Sequence, residues 1–265
     1  MKNKIVLITG ASSGIGKALA EKFDREGATI AIAARRMEAL ESIAANFHQE
    51  GLCIKADVSQ NQDCIRMVEA VIEKYGRLDV LINNAGISMR ALLEATDPSV
   101  IEQVMQVNFF GTLYSTHAAL PHLLAQKGSI VGVSSIAGYR GLPGRTGYSA
   151  SKFAMQGFLE SLRTEVMHRG VHVLVACPGF TASNIRKQAL TADGSQQGQT
   201  PRKEDKMMTA EAVADHIYRA VKTRKRDIVL TSQGKITVFL NKFFPGFMDK
   251  MVFNHMKKEP DSPFE

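Results

Sequence analysis

Residues 4–25, KIVLITGASSGIGKALAEKFDR, decide how this chain begins to fold. The apolar, β-branched run at residues 4–9 stops at Gly10, and residues 17–25 follow with helical periodicity, which predicts a strand, a glycine-rich turn and a helix. Glycines allow the sharp turn and the close approach of a pyrophosphate, whose charge the helix amino terminus favours. We therefore predict a dinucleotide site at Gly10, Ser12, Ser13, Gly14, Ile15 and Gly16.

The rest of the chain continues this alternation. Strands are predicted at residues 29–34, 53–56, 78–82, 129–135, 171–177 and 227–230, and helices at about 37–49, 61–75, 98–126, 148–168 and 210–222. The strands are apolar on both faces, which is typical of a parallel sheet covered by helices on both sides. We predict an α/β fold with a doubly wound parallel sheet, Rossmann-like, in a single domain at residues 1–265.

Two segments depart from the alternation. Residues 181–206 are polar and rich in Gln, Gly and Thr, and we predict that they form a mobile substrate lid, since long loops in compact domains are often functional. Residues 234–265 form an apolar C-terminal extension with interspersed lysines, in which Pro245 and Gly246 interrupt any single helix. The extension could cover the pocket, form a subunit interface or lie on a membrane surface, and burial within the protein or an oligomer is the commoner use.

Composition is that of an ordinary globular protein: 265 residues, 45% hydrophobic and 22% charged. Three scattered cysteines lack the spacing of a disulfide framework or a zinc site, which favours a reducing compartment and no structural metal. The first residues lack a signal-peptide core, and no apolar run reaches the roughly 18 residues of a spanning helix. We therefore expect a cytoplasmic location.

The net charge of +7 is compatible with binding to nucleic acid or to an anionic membrane. No nucleic-acid motif accompanies the charge, so we expect no nucleic-acid partner. A solvated basic face and a grip on an anionic cofactor explain the charge more simply.

Tyr148 and Lys152 are four residues apart on a predicted helix, so their side chains lie on one face and can meet. A phenol has a pKa near 10, and a nearby ammonium lowers that pKa by favouring the phenolate, which suits Tyr148 to general acid–base catalysis. Ser135 ends a predicted strand, where its hydroxyl could stabilise developing alkoxide charge. By position alone, Ser134 is a rival.

Further motifs occur along the chain in a recognisable order. They are TGASSGIG at residues 9–16, Asn83-Asn-Ala-Gly86, Asn108 in VNFFG, Ser135, Tyr148-Ser-Ala-Ser-Lys152, and Pro178-Gly179. In order and spacing this set resembles the short-chain dehydrogenase/reductase family over about residues 4–230. A mild departure is Ser183, where the family usually has Thr at the end of a PGxxxT pattern.

The resemblance implies a catalytic set of Asn108, Ser135, Tyr148 and Lys152. In such a set Lys152 also holds the nicotinamide ribose, and Asn108 binds a water that links Lys152 to solvent. The family's spacing to Tyr148 selects Ser135 over Ser134.

The resemblance also implies further cofactor contacts. Asp57 is expected to hold the adenine ring, and Thr181 and Ser183 to reach the carboxamide or the phosphates. The remaining expected contacts are Val58, Asn84, Tyr148, Lys152, Pro178 and Gly179.

The end of the second strand predicts the cofactor. Residues 33–36 are Ala-Ala-Arg-Arg, without the carboxylate that accepts a hydrogen bond from a ribose 2′-hydroxyl. Arg35 instead offers a charged fork to a 2′-phosphate, so NADP(H) is predicted in preference to NAD(H). A solvated helix start is the alternative explanation for Arg35 and Arg36. Similar NADP-dependent members often carry a second basic residue in the glycine loop, where this chain has Ser13.

These residues predict hydride transfer between nicotinamide and the carbon of a carbonyl or secondary alcohol, with Tyr148 exchanging the proton. A ketone or aldehyde reductase is the expected direction, with a small-molecule substrate and a homodimeric or homotetrameric assembly. A non-catalytic NADP-binding scaffold or sensor is the alternative, and a sugar-nucleotide epimerase or dehydratase is a third interpretation.

Overall fold

The computed structural model describes residues 1–200, 207–260 and 262–264. Its strands are β1 (Ile5–Thr9), β2 (Thr29–Ala34), β3 (Leu52–Lys55), β4 (Val80–Asn83), β5 (Ser129–Val133), β6 (His172–Cys177) and β7 (Asp227–Val229). They pair in parallel in the order β3-β2-β1-β4-β5-β6-β7. The predicted doubly wound parallel sheet in one domain is confirmed.

Helices connect the strands and follow the last of them. They are α1 (Gly14–Arg25), α2 (Met37–Ala44), α3 (Asn61–Tyr75), α4 (Pro98–Met105), α5 (Gly111–Gln126), α6 (Thr146–Val166), α7 (Ala210–Lys222), α8 (Ser232–Phe243) and α9 (Pro245–Lys257). A π-helical turn at Gln106–Phe110 joins α4 to α5, and three-residue 3₁₀ turns lie at Leu93–Ala95, Ile136–Gly138 and Met167–Arg169.

Two apolar cores lie on opposite faces of the sheet, because every residue of β1, β4 and β5 is buried and consecutive side chains point to opposite sides. One core joins the sheet to α1 and α7 through residues such as Phe23 and Ile217. The other joins it to α3, α5 and α6 through Met67, Leu123 and Leu159. The sheet is thus covered on both sides.

The topology creates a crevice at the carboxyl end of the central strands. β1 pairs with β2 on one side and with β4 on the other, so the chain leaves these neighbouring strands in opposite directions. Ligands of open α/β sheets bind at such a switch point. The glycine-rich turn after β1 and the Asn83–Gly86 segment after β4 meet there.

Two predicted helices differ from the observed ones. The helix predicted at residues 37–49 ends at Ala44, and the Asp24 carboxylate accepts a hydrogen bond from the backbone N–H of His48 at 3.0 Å, which holds the chain off a helical path. The helix predicted at residues 98–126 is interrupted by the π-helical turn, which contains the buried Asn108.

The described part of the predicted lid, residues 181–200, contains neither a helix nor a strand. Leu190 bridges to Met89 and packs into a small apolar cluster with it. Residues 201–206 lie outside the described residues. That the lid moves remains a prediction.

The C-terminal extension forms a helix pair, α8 and α9. Pro245 begins α9 because it has no N–H to continue the preceding helix. The inner side of α9 is apolar: Met248, Val252 and Met256 are buried and pack with Leu142, Leu240 and Phe264. In the part of the chain that the structure describes, no helix combines the length and apolarity needed to cross a bilayer.

Candidate active site

The glycine-rich turn is held by polar contacts with the segment after β4. Asn84 Nδ2 donates hydrogen bonds to the carbonyl oxygens of Thr9 and Gly10, at 3.0 and 3.1 Å. Thr9 Oγ1 accepts one from the Asn84 N–H at 3.1 Å. A Cβ on Gly16 would lie 2.5 Å from Asn84 Nδ2, so this contact requires glycine at position 16.

Replacing Gly16 by Ala should therefore displace Asn84 and open the turn. We expect the Kd for the dinucleotide to rise at least about tenfold, because the backbone N–H groups would no longer converge on the phosphates. Isothermal titration calorimetry measures this, and Gly157→Ala is a matched control because a Cβ at Gly157 meets open space. An unchanged Kd in the Gly16 variant would contradict the role of this packing.

The amino end of α1 is built to receive an anion. Within the described residues, the Ser13 side chain at its N-cap makes no capping hydrogen bond, and the first turn carries no acidic side chain. The first N–H groups of the helix are thus left to a ligand. Gly10 has a φ of +66°, and a Cβ there would lie 2.6 Å from Ala85 Cα, so the turn can approach the β4 segment only with glycine at position 10.

A cleft of about 490 Å³ runs from this turn across the carboxyl end of the sheet. All the predicted cofactor contacts line it: Gly10, Ser12, Ser13, Gly14, Ile15, Gly16, Arg35, Asp57, Val58, Asn84, Tyr148, Lys152, Pro178, Gly179, Thr181 and Ser183. The donors and cations suit a dinucleotide with its phosphates at α1. Their individual roles remain predictions.

Tyr148 and Lys152 lie one turn apart near the start of α6, as predicted. Lys152 Nζ is 5.8 Å from the centroid of the Tyr148 ring and donates a hydrogen bond to the Val133 carbonyl oxygen at 3.0 Å. Lys152 is only 3% exposed, yet it lines the cleft.

Burial is the largest cause of the pKa shifts of both Tyr148 and Lys152. It lowers the pKa of Lys152 to about 8, because the ammonium is taken out of water. The pKa of Tyr148 is raised, again chiefly by desolvation, while a hydrogen bond with Ser135 and the charges of Arg145 and Arg186 act in the lowering direction. The net direction of the Tyr148 pKa is therefore opposite to the predicted one, because burial outweighs the nearby positive charges.

The two candidate serines point to different places. Ser134 Oγ accepts a hydrogen bond from Gln156 Nε2 at 2.9 Å and is buried against α6. Ser135 Oγ accepts one from the Ala137 N–H at 3.1 Å, and Ser135 lines the cleft with Tyr148, whose pKa it acts to lower. Of the two, Ser135 is therefore the one positioned to share a substrate oxygen with Tyr148.

Asn108 stands apart from the other predicted residues, because it is fully buried behind the cleft wall. Its Oδ1 accepts from the Ile87 N–H at 2.8 Å, and its Nδ2 donates to the Ile87 carbonyl oxygen and to Ser151 Oγ. These bonds fix the chain after β4 beside Lys152. The predicted water relay through Asn108 remains a prediction.

Asp57 also has a local structural role. Its Oδ1 accepts hydrogen bonds from the Ser59 N–H and hydroxyl, at 3.0 and 2.8 Å. This forms the turn after β3 while the carboxylate still faces the cleft.

Comparison with known proteins decides the family. The family model described as short chain dehydrogenase matches residues 4–194. The chain belongs to the short-chain dehydrogenase/reductase family. It is therefore an oxidoreductase of the dehydrogenase/reductase type with a nicotinamide cofactor, and the family resemblance predicted from the motifs is confirmed.

Individual members of the short-chain dehydrogenase/reductase family are similar over most of the chain. A Dehydrogenase/reductase SDR family protein 7-like protein of Dictyostelium discoideum is 36% identical over 260 residues, which cover 94% of this chain and 80% of that protein. The 11-beta-hydroxysteroid dehydrogenase-like 4A of Arabidopsis thaliana is 39% identical over 226 residues, covering 83% and 75%. A family structure from Burkholderia phymatum, in complex with NAD, superimposes with a TM-score of 0.83 at 24% identity, covering 93% of this chain and 95% of that one.

The short-chain dehydrogenase/reductase motifs did not reveal three arginines on the cleft wall. Arg36 Nη2 donates to Ser12 Oγ at 3.2 Å, which brings a second cation to the glycine-rich turn. Arg145 is buried in an ion pair with Glu259 at 3.0 Å, and Arg186 donates to the Thr181 carbonyl oxygen. Only Arg36 had a sequence signal, its place beside Arg35; the other two reach the site through the tertiary fold.

A second cavity of about 530 Å³ adjoins the catalytic end of the cleft. It shares Ser135, Leu142, Gly179 and Phe180 with the cleft. Its walls are largely apolar and include Ile136, Ala137, Phe180, Met207, Met208, Thr237, Met251, Val252 and Met256. The helix pair α8–α9, which no family motif covers, therefore builds much of this cavity.

Proposed function

We propose that this protein is an NADPH-dependent reductase of ketones or aldehydes whose carbonyl group is attached to an apolar body. The observation that carries the proposal is the meeting of two cavities at Ser135. One is lined by charged and hydrogen-bonding groups and suits a dinucleotide, and the other is apolar and suits the rest of the substrate.

When bound, the nicotinamide cofactor supplies a hydride to the carbonyl carbon. Ser135 donates a hydrogen bond to the carbonyl oxygen and polarises it. Tyr148 gives the proton of its hydroxyl to that oxygen, so the carbonyl becomes an alcohol and the tyrosine a phenolate. The raised pKa of Tyr148 supports the donor role, because it keeps the hydroxyl protonated until the oxygen gains charge.

The cations around Tyr148 support the formation of its phenolate when the proton is transferred. Lys152, Arg145 and Arg186 all line the cleft, and their positive charge stabilises the phenolate that forms. Lys152 has no carboxylate partner among its hydrogen bonds in the described structure, so its remaining donors are available to ribose hydroxyls.

The substrate class follows from the second cavity. Met208, Met251 and Val252 offer apolar surface that would bind a hydrocarbon skeleton. Besides the shared Ser135, the polar side chains on the wall are Thr231, Gln233, Thr237 and His255. The name of the Arabidopsis relative refers to a hydroxysteroid, an apolar alcohol, and so supports the same class.

A panel of carbonyl compounds tests the reaction. We expect stoichiometric NADPH oxidation with apolar ketones or aldehydes and much slower oxidation with small polar ones. A scaffold or sensor would oxidise none, and an epimerase would recycle its cofactor without net loss. Either outcome would contradict the proposed function.

Preference for NADPH is supported by Arg35 and Arg36 at the adenosine end of the cleft. The double variant Arg35→Ala/Arg36→Ala removes both guanidinium groups. Its KM for NADPH should rise about a hundredfold, because each charged hydrogen bond to phosphate contributes about 1.5–3 kcal/mol. Its KM for NADH should rise less than about threefold. Steady-state kinetics with both cofactors measure this, with Arg66→Ala on the exposed face of α3 as the matched control. Equal effects on the two cofactors would remove the argument for a 2′-phosphate.

A further inference from the structure

The outer side of the helix pair α8–α9 carries a concentration of exposed apolar side chains. We define the apolar patch as Ile236, Phe239, Phe243, Phe244, Phe247 and Met251, which are 38–60% exposed. In the rest of the described chain, the large exposed hydrophobic residues are Phe253, whose ring packs against Phe264, and the scattered Leu93, Phe153 and Met167. Such a concentration marks an interaction surface.

The patch faces outward because the helix pair is firmly attached by its inner side. Arg140 donates to Asn241 Oδ1 at 3.1 Å and forms an ion pair with Asp249. Asn241 Nδ2 in turn donates to the Tyr139 carbonyl oxygen at 3.0 Å. With Met248 and Val252 buried beneath, the phenyl rings cannot turn inward without breaking these contacts.

The charge around the patch is strongly one-sided. Between residues 232 and 258 the chain carries five lysines, all exposed: Lys235, Lys242, Lys250, Lys257 and Lys258. The single acidic residue in this range is Asp249, whose carboxylate is paired with Arg140. Aromatic side chains flanked by lysines are typical of helices that lie in a membrane interface.

The same charge argues against a second copy as the occupant. In a two-fold interface the patch would face itself, so each lysine-rich rim would meet another. Like charges placed together in this way oppose association, whereas anionic lipid headgroups complement them.

We propose that the helix pair α8–α9 docks on an anionic lipid surface, with the phenyl rings among the lipid glycerol and upper acyl groups and the lysines at the headgroups. Met251 belongs both to the apolar patch and to the wall of the second cavity. A lipid-dissolved substrate would thus find the cavity next to the bilayer. The docking itself does not depend on the proposed reaction.

Vesicle flotation of the full chain tests the proposal. We expect the wild-type protein to float with phosphatidylcholine vesicles that contain phosphatidylserine, less with phosphatidylcholine alone, and less in high salt. Phe239→Ser/Phe247→Ser should lower the bound fraction at least about tenfold, because two exposed rings lose their apolar contact with lipid. Leu93→Ser/Met167→Ser removes two exposed apolar side chains elsewhere and should float like the wild type.

Thermal melting and NADPH binding of the variants report whether they fold. Should the phenylalanine variant be unfolded, Lys242→Glu/Lys250→Glu provides an independent test on exposed side chains, and it should lose the dependence on phosphatidylserine. A wild-type protein that stays at the bottom of the gradient with both vesicle types overturns the proposal, as does a folded phenylalanine variant that floats normally. Sedimentation that shows a wild-type dimer and a monomeric phenylalanine variant, neither of which floats, assigns the patch to contact between copies instead.

Discussion

Replacing Tyr148 by Phe should lower kcat by about 10³-fold and change the Kd for NADPH less than about threefold. General acid–base catalysis contributes about 10²–10⁴ to a rate, and this variant removes only the hydroxyl that donates the proton. The ring itself remains in place near Lys152 Nζ, 5.8 Å from its centroid, so the cleft keeps its shape and charge.

Single-turnover kinetics with saturating NADPH and an apolar ketone measure this loss directly, because they exclude product release. Tyr114→Phe on α5 is a matched control, since it also removes one phenol hydroxyl and lies outside the cleft lining. A Tyr148 variant that turns over at the wild-type rate would contradict the assignment of the proton donor.

Lys152→Met should have two opposite effects: a fall in kcat/KM of at least about a hundredfold and a more stable cofactor-free protein. The first follows from losing a cation beside the phenolate and a ribose contact. The second follows because burial lowers the pKa of Lys152 from 10.5 to about 8, which corresponds to about 3 kcal/mol of destabilisation at neutral pH. Losing the hydrogen bond to Val133 offsets about 1 kcal/mol of the gain.

The difference in stability between the Lys152→Met variant and the wild type depends on pH. Below pH 8 the folded protein must hold a buried ammonium, so the variant is the more stable protein by about 2 kcal/mol, or a melting temperature about 4–8 °C higher. Between pH 8 and 10.5 the wild-type lysine loses its proton in the folded state before the unfolded state does, and the difference disappears. Melting curves at pH 7 and pH 10 without cofactor measure both ends of this range.

A variant that melts below the wild type at pH 7 would show that Lys152 is not held as an unfavourable buried charge. Lys17→Met is a matched control: Lys17 lies exposed on α1, so the same substitution should leave the melting temperature within about 2 °C at either pH.

Local patterns were sufficient for most of the fold. The apolar run of β1 and the glycines at 10, 14 and 16 predicted the first strand, turn and helix and the dinucleotide site between them, because these follow from periodicity and glycine spacing over a few residues. The end of α2 could not be predicted in this way. Near this end the backbone N–H of His48 donates a hydrogen bond to the Asp24 carboxylate, and these two residues are 24 positions apart.

The candidate site was likewise predictable from the sequence only in part. Tyr148, Lys152 and Ser135 could be named because they occupy fixed spacings in one motif set. Arg145 and Arg186 could not, since they reach the cleft from segments without any motif, and Arg145 is anchored by Glu259, 114 residues away. The direction of the pKa of Tyr148 was likewise mispredicted, because spacing reveals a neighbouring charge but not how much water surrounds it.

The amino-acid sequence by itself determined the family, the alternation of strands and helices, and the chemistry available at the crevice, because these depend on residue types at short and regular separations. Only the tertiary structure decided that Lys152 is a buried cation, that a second apolar cavity meets Ser135, and that the phenylalanines of α8 and α9 face outward. Burial and exposure are set by everything that packs around a side chain, and those neighbours come from distant parts of the chain.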